Sequence, residues 1–495
     1  MNVPYFDLLR ALTPEAMLVV TAFVALALDL AGLRRAERTV RNRTIGTVAL
    51  VGLLASIIPL WRQIGGDKLQ FLGRTLVVND LTAVFNIVIV VLTLITVLIS
   101  IDFDIGRHVG EYFATVLFGA VGMMVLVSTE ELITIFVALE LTSICLYILT
   151  AFHKGELRSQ EAAMKYFMFG AISSAFLLFG MSYLYGATGT TNLREIGELV
   201  KPNASPVLAV ALLFMVVGFG FKVAVVPFHL WAPDAYEGAP TPVTAFIATG
   251  SKVASFFVFL KVAIIAFSGM KGSAEWGKAA SGWMLLVAAT AVASMILGNV
   301  VAITQRNVKR LLAYSSIAHA GYIFVGLIAA KPVGATAVLF YLIVYSLTNI
   351  GAFGVVAALA SRAGGDDMED FNGMAKRAPF LSLLMLIFVL SLAGIPPLGG
   401  FFGKFYLFAA AVQGDAEHFG LLWLVILGIV MSAVSLYYYL ILLKHIYIIA
   451  PKDDARITTP TYLNVCLGVC ALGVIGLGVY PEPLLTLLNT LVAQL

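Results

Sequence analysis

Charge is what this chain has least of. Only 12% of its 495 residues are Asp, Glu, Lys or Arg, about half the share of an ordinary globular domain. With 60% of the residues hydrophobic, that scarcity excludes both a disordered chain and a conventional soluble fold. Cysteine is rarer still. Cys145, Cys466 and Cys470 are the only three, each inside an apolar run, and they read as small buried hydrophobes rather than metal ligands. No Gly-x-Gly-x-x-Gly fingerprint, phosphate loop, Cys-x-x-Cys pair or nucleophile elbow occurs, so a redox cofactor or a metal in this chain has no support. The net charge of +3 is spread over many loops, and no basic stripe with interleaved aromatics offers a nucleic-acid surface. The first apolar run has no basic n-region and no small-residue cleavage site, and it reads as a retained span.

What is present is apolar sequence in bilayer lengths. Runs of about 20 apolar residues fall at roughly 12–31, 44–61, 78–101, 111–128, 131–151, 161–187, 206–227, 241–267, 281–303, 310–328, 333–361, 380–412, 420–449 and 461–479. They predict an all-α polytopic membrane protein of about fourteen transmembrane helices with short connections and no soluble domain. Arg34, Arg35, Arg38, Arg41 and Arg43 follow the first run. With the lysine and arginine bias of the other loops, they put that connection inside and both termini outside.

Two runs are interrupted. In the seventh, the stretch through Phe221-Lys222 meets Pro227, with His229, Trp231, Pro233 and Asp234 close behind. In the twelfth, Ile395-Pro396-Pro397-Leu398-Gly399-Gly400 stands amid hydrophobic sequence. Proline breaks a helix and frees backbone groups, which membrane depth tolerates only where protein or water satisfies them. Lys222 and Lys404 are 182 positions apart, and Glu140 and His319 are 179 apart. The common offset predicts two five-helix repeats, spans four to eight and nine to thirteen. An odd span number inverts the second copy, with broken helices 7 and 12 at the repeat centres. The expected organisation is a three-helix segment (1–110), a first repeat (111–267), a second repeat (281–449) and a C-terminal helix (450–495).

The few charges inside these spans carry the chemistry. A lysine at bilayer centre costs about 2.5–3.5 kcal/mol on insertion scales, so it marks a functional position by default. Glu140 and Lys222 form a candidate pair whose proton affinities respond to one another; a permanent salt bridge joining two helices is the plainer alternative. Lys252, beside Gly250 and Ser251, has room for a neighbouring helix or water and is a candidate relay group bridging the halves. Lys165 follows Glu161 by one turn, which allows an ordinary ion pair as well as a role in modulating Glu140. His319 occupies the second repeat's place for the glutamate. It suits a water-linked relay, or is a core histidine bonded to a serine. Lys404 has no acid in its own span and takes its partner from another helix, water or another protein. Lys261 is explained equally well by snorkelling to the interface. His229 reads as a loop organiser or an access-route residue.

These motifs also carry a resemblance in combination. Glu140, Phe221-Lys222 running into Pro227-Phe228-His229-Leu230-Trp231-Ala232-Pro233-Asp234-Ala235-Tyr236-Glu237-Gly238-Ala239-Pro240, Ser251-Lys252-Val253-Ala254, Ala318-His319-Ala320-Gly321-Tyr322 and Gly394-Ile395-Pro396-Pro397 with Gly403-Lys404 resemble the N-type antiporter-like subunits of proton-pumping NADH-quinone oxidoreductase, respiratory complex I. The resemblance implies the fourteen-helix inverted-repeat fold. It also implies roles for Glu140 and Lys222 as the glutamate–lysine pair, Lys252 as central relay lysine, Lys404 as terminal lysine and Lys165 as an additional sixth-span lysine. It further implies a place among other membrane-arm subunits in a bacterial plasma membrane or a thylakoid-type membrane, with NAD, FMN, iron–sulfur clusters and quinone in partner subunits. Lysine at 404, where several relatives carry a carboxylate, favours the N type. A secondary cation/proton antiporter subunit without redox coupling is the alternative within the same superfamily. A purely structural membrane subunit, with locked charges, is the other.

Overall fold

The computed structural model describes residues 5–66, 68–201, 205–329, 332–363, 365–413, 419–451 and 455–493, with the side chains of 361–363 excepted. The chain ends, on which the orientation expectation bears, lie outside that set. The described residues are helical almost throughout. In chain order the helices are α1 (Tyr5–Ala11), α2 (Thr13–Ala27), α3 (Arg38–Gln63), α4 (Asp80–Ser100), α5 (Val109–Val127), α6 (Leu132–Thr150), α7 (Leu157–Thr188), α8 (Leu193–Leu199) and α9 (Pro206–Val223). There follow α10 (Trp231–Gly238), α11 (Thr241–Phe246), α12 (Lys252–Lys261), α13 (Trp283–Ala302), α14 (Val308–Ile328) and α15 (Pro332–Ala363). The last are α16 (Met374–Arg377), α17 (Pro379–Ala393), α18 (Gly399–Val412), α19 (Leu422–Tyr447), α20 (Thr461–Val479) and α21 (Glu482–Val492). One antiparallel hairpin, β1 (Leu69–Phe71) and β2 (Leu76–Val78), pairs Leu69 with Val78.

Thirteen helices among the described residues are long and apolar enough to cross a membrane. The remaining expected span, 380–412, is the divided one, present as the two shorter apolar helices α17 and α18. The seventh span ends at Val223, short of the expected Pro227, because Ala224 turns into a left-handed conformation at φ 58° that costs any residue with a Cβ. Lys222 is therefore the penultimate residue of its helix. The sixth span begins at Leu157, four residues earlier than expected, which draws Lys165 more than two turns into it.

The chain divides into two compact units, one comprising the residues to Val223 with Gly238–Lys271, the other Ala224–Glu237 with Gly272–Val492. In the first, Arg41 grips Asp29 through two bonds of 2.7 Å, and Gly110 N–H donates to the same carboxylate. One buried acid thus holds the end of the first span against α3 and α5. Side-chain caps close other exposed N–H groups. Asn79 accepts from Thr82 N–H, and Glu131 accepts from the Ile133 and Thr134 N–H groups of α6. Hydroxyls inside the spans return to their own helix, as Thr93, Thr96 and Ser100 do to the carbonyls four residues back, leaving few polar atoms to be solvated by lipid.

In the second unit α13 and α14 approach at backbone contact. A Cβ on Gly298 would stand 2.6 Å from Ala318 N, and one on Gly321 2.7 Å from Met295 Cγ. Small residues permit this spacing where lipid offers no hydrophobic drive for association. Gly394, at φ 87°, ends α17 as a left-handed cap, with the Gly394 and Ile395 N–H groups both reaching Leu390 O. The spans Thr241–Ala266 and Val308–Ile328 are each 94% buried over their apolar windows. These enclosed helices carry Lys252 and His319.

Candidate functional site

In the first unit, α6 presents Glu140 and Ser143 on one face, three residues apart. The Lys222 ammonium donates to Ser143 Oγ at 2.6 Å and stands 3.6 Å from Glu140 Oε1. Ser143 donates its own proton to Leu139 O at 2.6 Å, and Ser174 on α7 donates to Glu140 at 2.5 Å. Lys222 is buried while the Glu140 side chain keeps 27% of its exposure. The pair is therefore asymmetric, with one deeply held ammonium and one carboxylate at the unit's surface. The expected Glu140–Lys222 pairing is present, with a serine between.

Lys252 is buried at the point where a π turn, Ile247–Ser251, gives way to α12. Such turns widen a helix and recur at functional positions. The space beside Gly250 is taken by Met123 of α5, whose Sδ would lie 3.1 Å from an added Cβ. Lys165 makes the ordinary i,i+4 pair with Glu161, 2.7 Å apart, and its side chain is 41% exposed.

The second unit holds His319 and Lys404 around a cage of phenols. His319 Nδ1 bonds the Tyr341 hydroxyl, Nε2 lies 3.3 Å from the Tyr439 hydroxyl, and Tyr439 in turn bonds Ser315. An imidazole with an oxygen at each nitrogen can take a proton on one side and release one on the other. Both ring nitrogens thus face phenol hydroxyls, whereas a serine bond is the alternative to the relay reading. Tyr322, one turn along α14, has its ring 5.5 Å from the imidazole, and the Lys404 ammonium sits 4.9 Å over the same ring. Tyr322, three residues beyond His319, thus links the imidazole to Lys404 through an aromatic face.

Lys404 shows most directly how the broken helix works. Its ammonium donates to Leu392 O at 2.8 Å, Ala393 O at 3.2 Å and Ser432 Oγ at 2.8 Å. In an unbroken helix those two carbonyls would accept from residues 396 and 397. Both are proline and have no N–H. The break thus creates two orphan carbonyls at the negative end of α17, and one lysine takes both. Ser432 completes the three bonds an ammonium can donate. The expectation of a partner outside its own span is corrected in part: two acceptors come from the first half of that span and one from α19.

Three other placements differ from expectation or were missed. Lys261 does not snorkel. It is buried and donates to Val127 O at 2.7 Å and Thr129 O at 3.3 Å, capping the end of α5. Next to those carbonyls Glu130, 1% exposed, receives Arg74 at 2.8 Å and Arg194 at 2.9 Å. Burial alone would raise the Glu130 carboxyl. The Arg194 hydrogen bond and the charges of Lys261, Arg194 and Arg74 outweigh it and hold the carboxyl below the usual range. Its stabilisation is therefore complete above the ordinary glutamate range near 4.3 and is lost as pH falls through the depressed value. Glu130→Gln should lower thermal stability in detergent at neutral pH by about 3 kcal/mol, the low end for a broken buried pair because both arginines keep some hydration. The difference from wild type should shrink in acid, which melting curves at stepped pH would check. The other missed group is Glu15 in the first span, buried with Oε2 lacking a hydrogen-bond partner among the described residues. His229, read as a loop organiser or an access-route residue, is buried with Nδ1 unbonded among the described residues, and Asp234 bonds Arg310.

Residues 129–435 match the family described as NADH:quinone oxidoreductase/Mrp antiporter, TM. The chain belongs to this family. The matched segment runs from the Glu130 cluster through Glu140, Lys222, Lys252, His319 and Lys404 to Ser435. The chain is 46% identical over 98% of its length, and 99% of the relative's, to NADH-quinone oxidoreductase subunit N 2 of Acidobacterium capsulatum. It is 42% identical over 90% of its length, and 91% of the relative's, to NADH-quinone oxidoreductase subunit N of Desulforamulus reducens. A chain of respiratory complex I from Thermus thermophilus superposes with a TM-score of 0.78 at 33% identity, over 96% of this chain and 98% of that one. For this NADH:quinone oxidoreductase/Mrp antiporter family member, no group of His, Cys, Asp and Glu able to hold a metal ion occurs among the described residues.

Proposed function

We propose that this chain is an N-type proton-translocating membrane subunit of an NADH-quinone oxidoreductase, moving protons while partner subunits pass electrons to quinone. The observation that carries the reading is the chemistry at the two helix breaks. In each unit a buried ammonium, Lys222 or Lys404, donates to hydroxyl or carbonyl oxygens next to a proline-interrupted span, with Glu140 3.6 Å from Lys222 besides. A neutral oxygen favours the ammonium less than a carboxylate in contact does, which leaves the proton easier to release. The names of the 46% and 42% identical relatives support the same reading.

The proposed sequence starts at the unit surface. A proton reaching Glu140 cancels its attraction for Lys222, 3.6 Å away, and the change in charge biases the ammonium of Lys252 through the low-dielectric interior. His319, bonded at both nitrogens, hands a proton between hydroxyls, and Lys404 is the terminal exchange group. Lys165 tunes Glu140 from α7. The near-equal sequence offsets between the two sets of groups support a pair of five-helix repeats with equivalent roles. Partner subunits of a bacterial plasma-membrane assembly would carry NAD, FMN, iron–sulfur clusters and quinone, with both termini of this chain outside.

The test is transport by the purified assembly. The complex containing this chain, extracted in mild detergent and reconstituted into vesicles, is expected to move protons only when NADH and a quinone are supplied. Proton movement driven by an imposed sodium gradient without an electron donor would overturn the reading in favour of a cation/proton antiporter.

A further inference from the structure

The segment Ala224–Glu237 is covalently continuous with Lys222 on α9, yet its contacts are those of the second unit. It is held there by a dense set of bonds. Val226 N–H donates to Ser294 Oγ at 2.9 Å. Arg310, at the start of α14, reaches Asp234 at 2.6 Å and Glu237 at 2.9 Å with the same nitrogen. Its neighbour Lys309 donates to Glu237 O at 2.6 Å while pairing with Asp366 at 2.9 Å. Between these, the buried Tyr236 hydroxyl lies 3.3 Å from Ser316 Oγ, which also receives the Tyr345 hydroxyl at 2.8 Å. The Tyr345 ring stands 5.3 Å from the imidazole of His319.

We infer that Tyr236 and Arg310 are positioning residues that register the segment following Lys222 against α14, and so transmit its displacement to the phenol cage around His319. The inference rests on the relay reading of Lys222 and His319. Its physical basis is stiffness. Arg310 and His319 are nine residues apart on one continuous helix, about 14 Å of unbroken rise. The ionic clamp sits at one end of that lever and the hydroxyl chain part-way along it. The carboxylates and the guanidinium are each between a quarter and a third exposed, so the clamp is shielded more than a surface pair and screened less by salt. Tyr236 also touches the Trp231 and Phe353 rings at 6.4 and 5.9 Å. Packing therefore fixes its ring, and the coupling passes through its hydroxyl.

The experiment compares Tyr236→Phe, Arg310→Gln and Arg310→Lys in the assembled complex reconstituted into vesicles, reading quinone reduction and proton movement separately. Tyr236→Phe keeps every ring contact and is expected to assemble, retain electron transfer and lose between about threefold and tenfold in protons moved per electron, the weight of one buried hydrogen bond. Arg310→Gln is expected to lose at least as much, and Arg310→Lys to recover only part because an ammonium replaces the guanidinium fork. A proton-to-electron ratio unchanged in Tyr236→Phe, in a preparation where Lys222→Ala abolishes transfer, would overturn the positioning role and leave the relay standing. Normal transfer in Lys222→Ala would instead remove the relay on which it rests. Where Arg310→Gln fails to assemble, Tyr236→Phe decides.

Discussion

Lys222→Arg is expected to assemble normally and to lose roughly tenfold or more of redox-driven proton transfer, as Lys222→Ala does. The comparison separates two roles that alanine alone confounds. If the Lys222–Glu140 contact is a static helix staple, arginine serves it well: the charge is kept, and a guanidinium bonds serine and carboxylate readily. If Lys222 must give up its proton, arginine fails outright, because it does not deprotonate in proteins. The alanine variant removes the cation paired with Glu140 but leaves the Ser174 bond. Glu140 also keeps part of its exposure, so it is not stranded as a bare buried charge and assembly should survive. The measurement is proton uptake per electron in vesicles, with the assembled complex quantified beside it. Full transfer in Lys222→Arg would make the pair structural.

The second large effect is expected at Lys404, where stability and transfer should come apart. Lys404→Met keeps the length of the side chain but returns Leu392 O to the state in which the prolines left it, and leaves Ala393 O with only the bond of 3.3 Å from Ser432. Each unsatisfied buried carbonyl costs about 1–3 kcal/mol. The complex should dissociate at lower temperature and lose proton transfer. Lys404→Arg restores donors to both carbonyls and should recover most of the thermal stability, but not the transfer. A protein in which Lys404→Met melts normally would show that water, not the lysine, satisfies the break. Recovery of transfer by arginine would end its role as a terminal exchange group.

The same two lysines show why the breaks are legible in the sequence and their chemistry is not. Pro227 and the Pro396-Pro397 pair announce lost N–H donors from residue type alone. Which group replaces the donor is a matter of tertiary geometry. At 397 it is Lys404, seven residues on. Lys222 does not repeat that arrangement at Pro227, since its ammonium donates to Ser143 of α6 instead. Similarly, Lys261 and Lys252 look alike in sequence, each a lysine in an apolar run. The fold ends α5 beside Lys261 and gives it two carbonyls, whereas Lys252 lies in the middle of an enclosed span.

By itself the sequence determined the solvent, the number of crossings, the interruption points and the identity of the buried charges. Each follows from local chemistry, namely apolar length against bilayer thickness, missing N–H groups at proline and the cost of charge in hydrocarbon. Tertiary structure alone decided the partners. Ser143 lies 79 residues from Lys222, Tyr439 lies 120 from His319, and Arg310 lies 76 from Asp234. No periodicity encodes separations of that kind. They are set by which helix faces pack, so the charges and the Glu140–Lys222 and Glu161–Lys165 pairs were legible, while the serine, tyrosine and carbonyl partners were not.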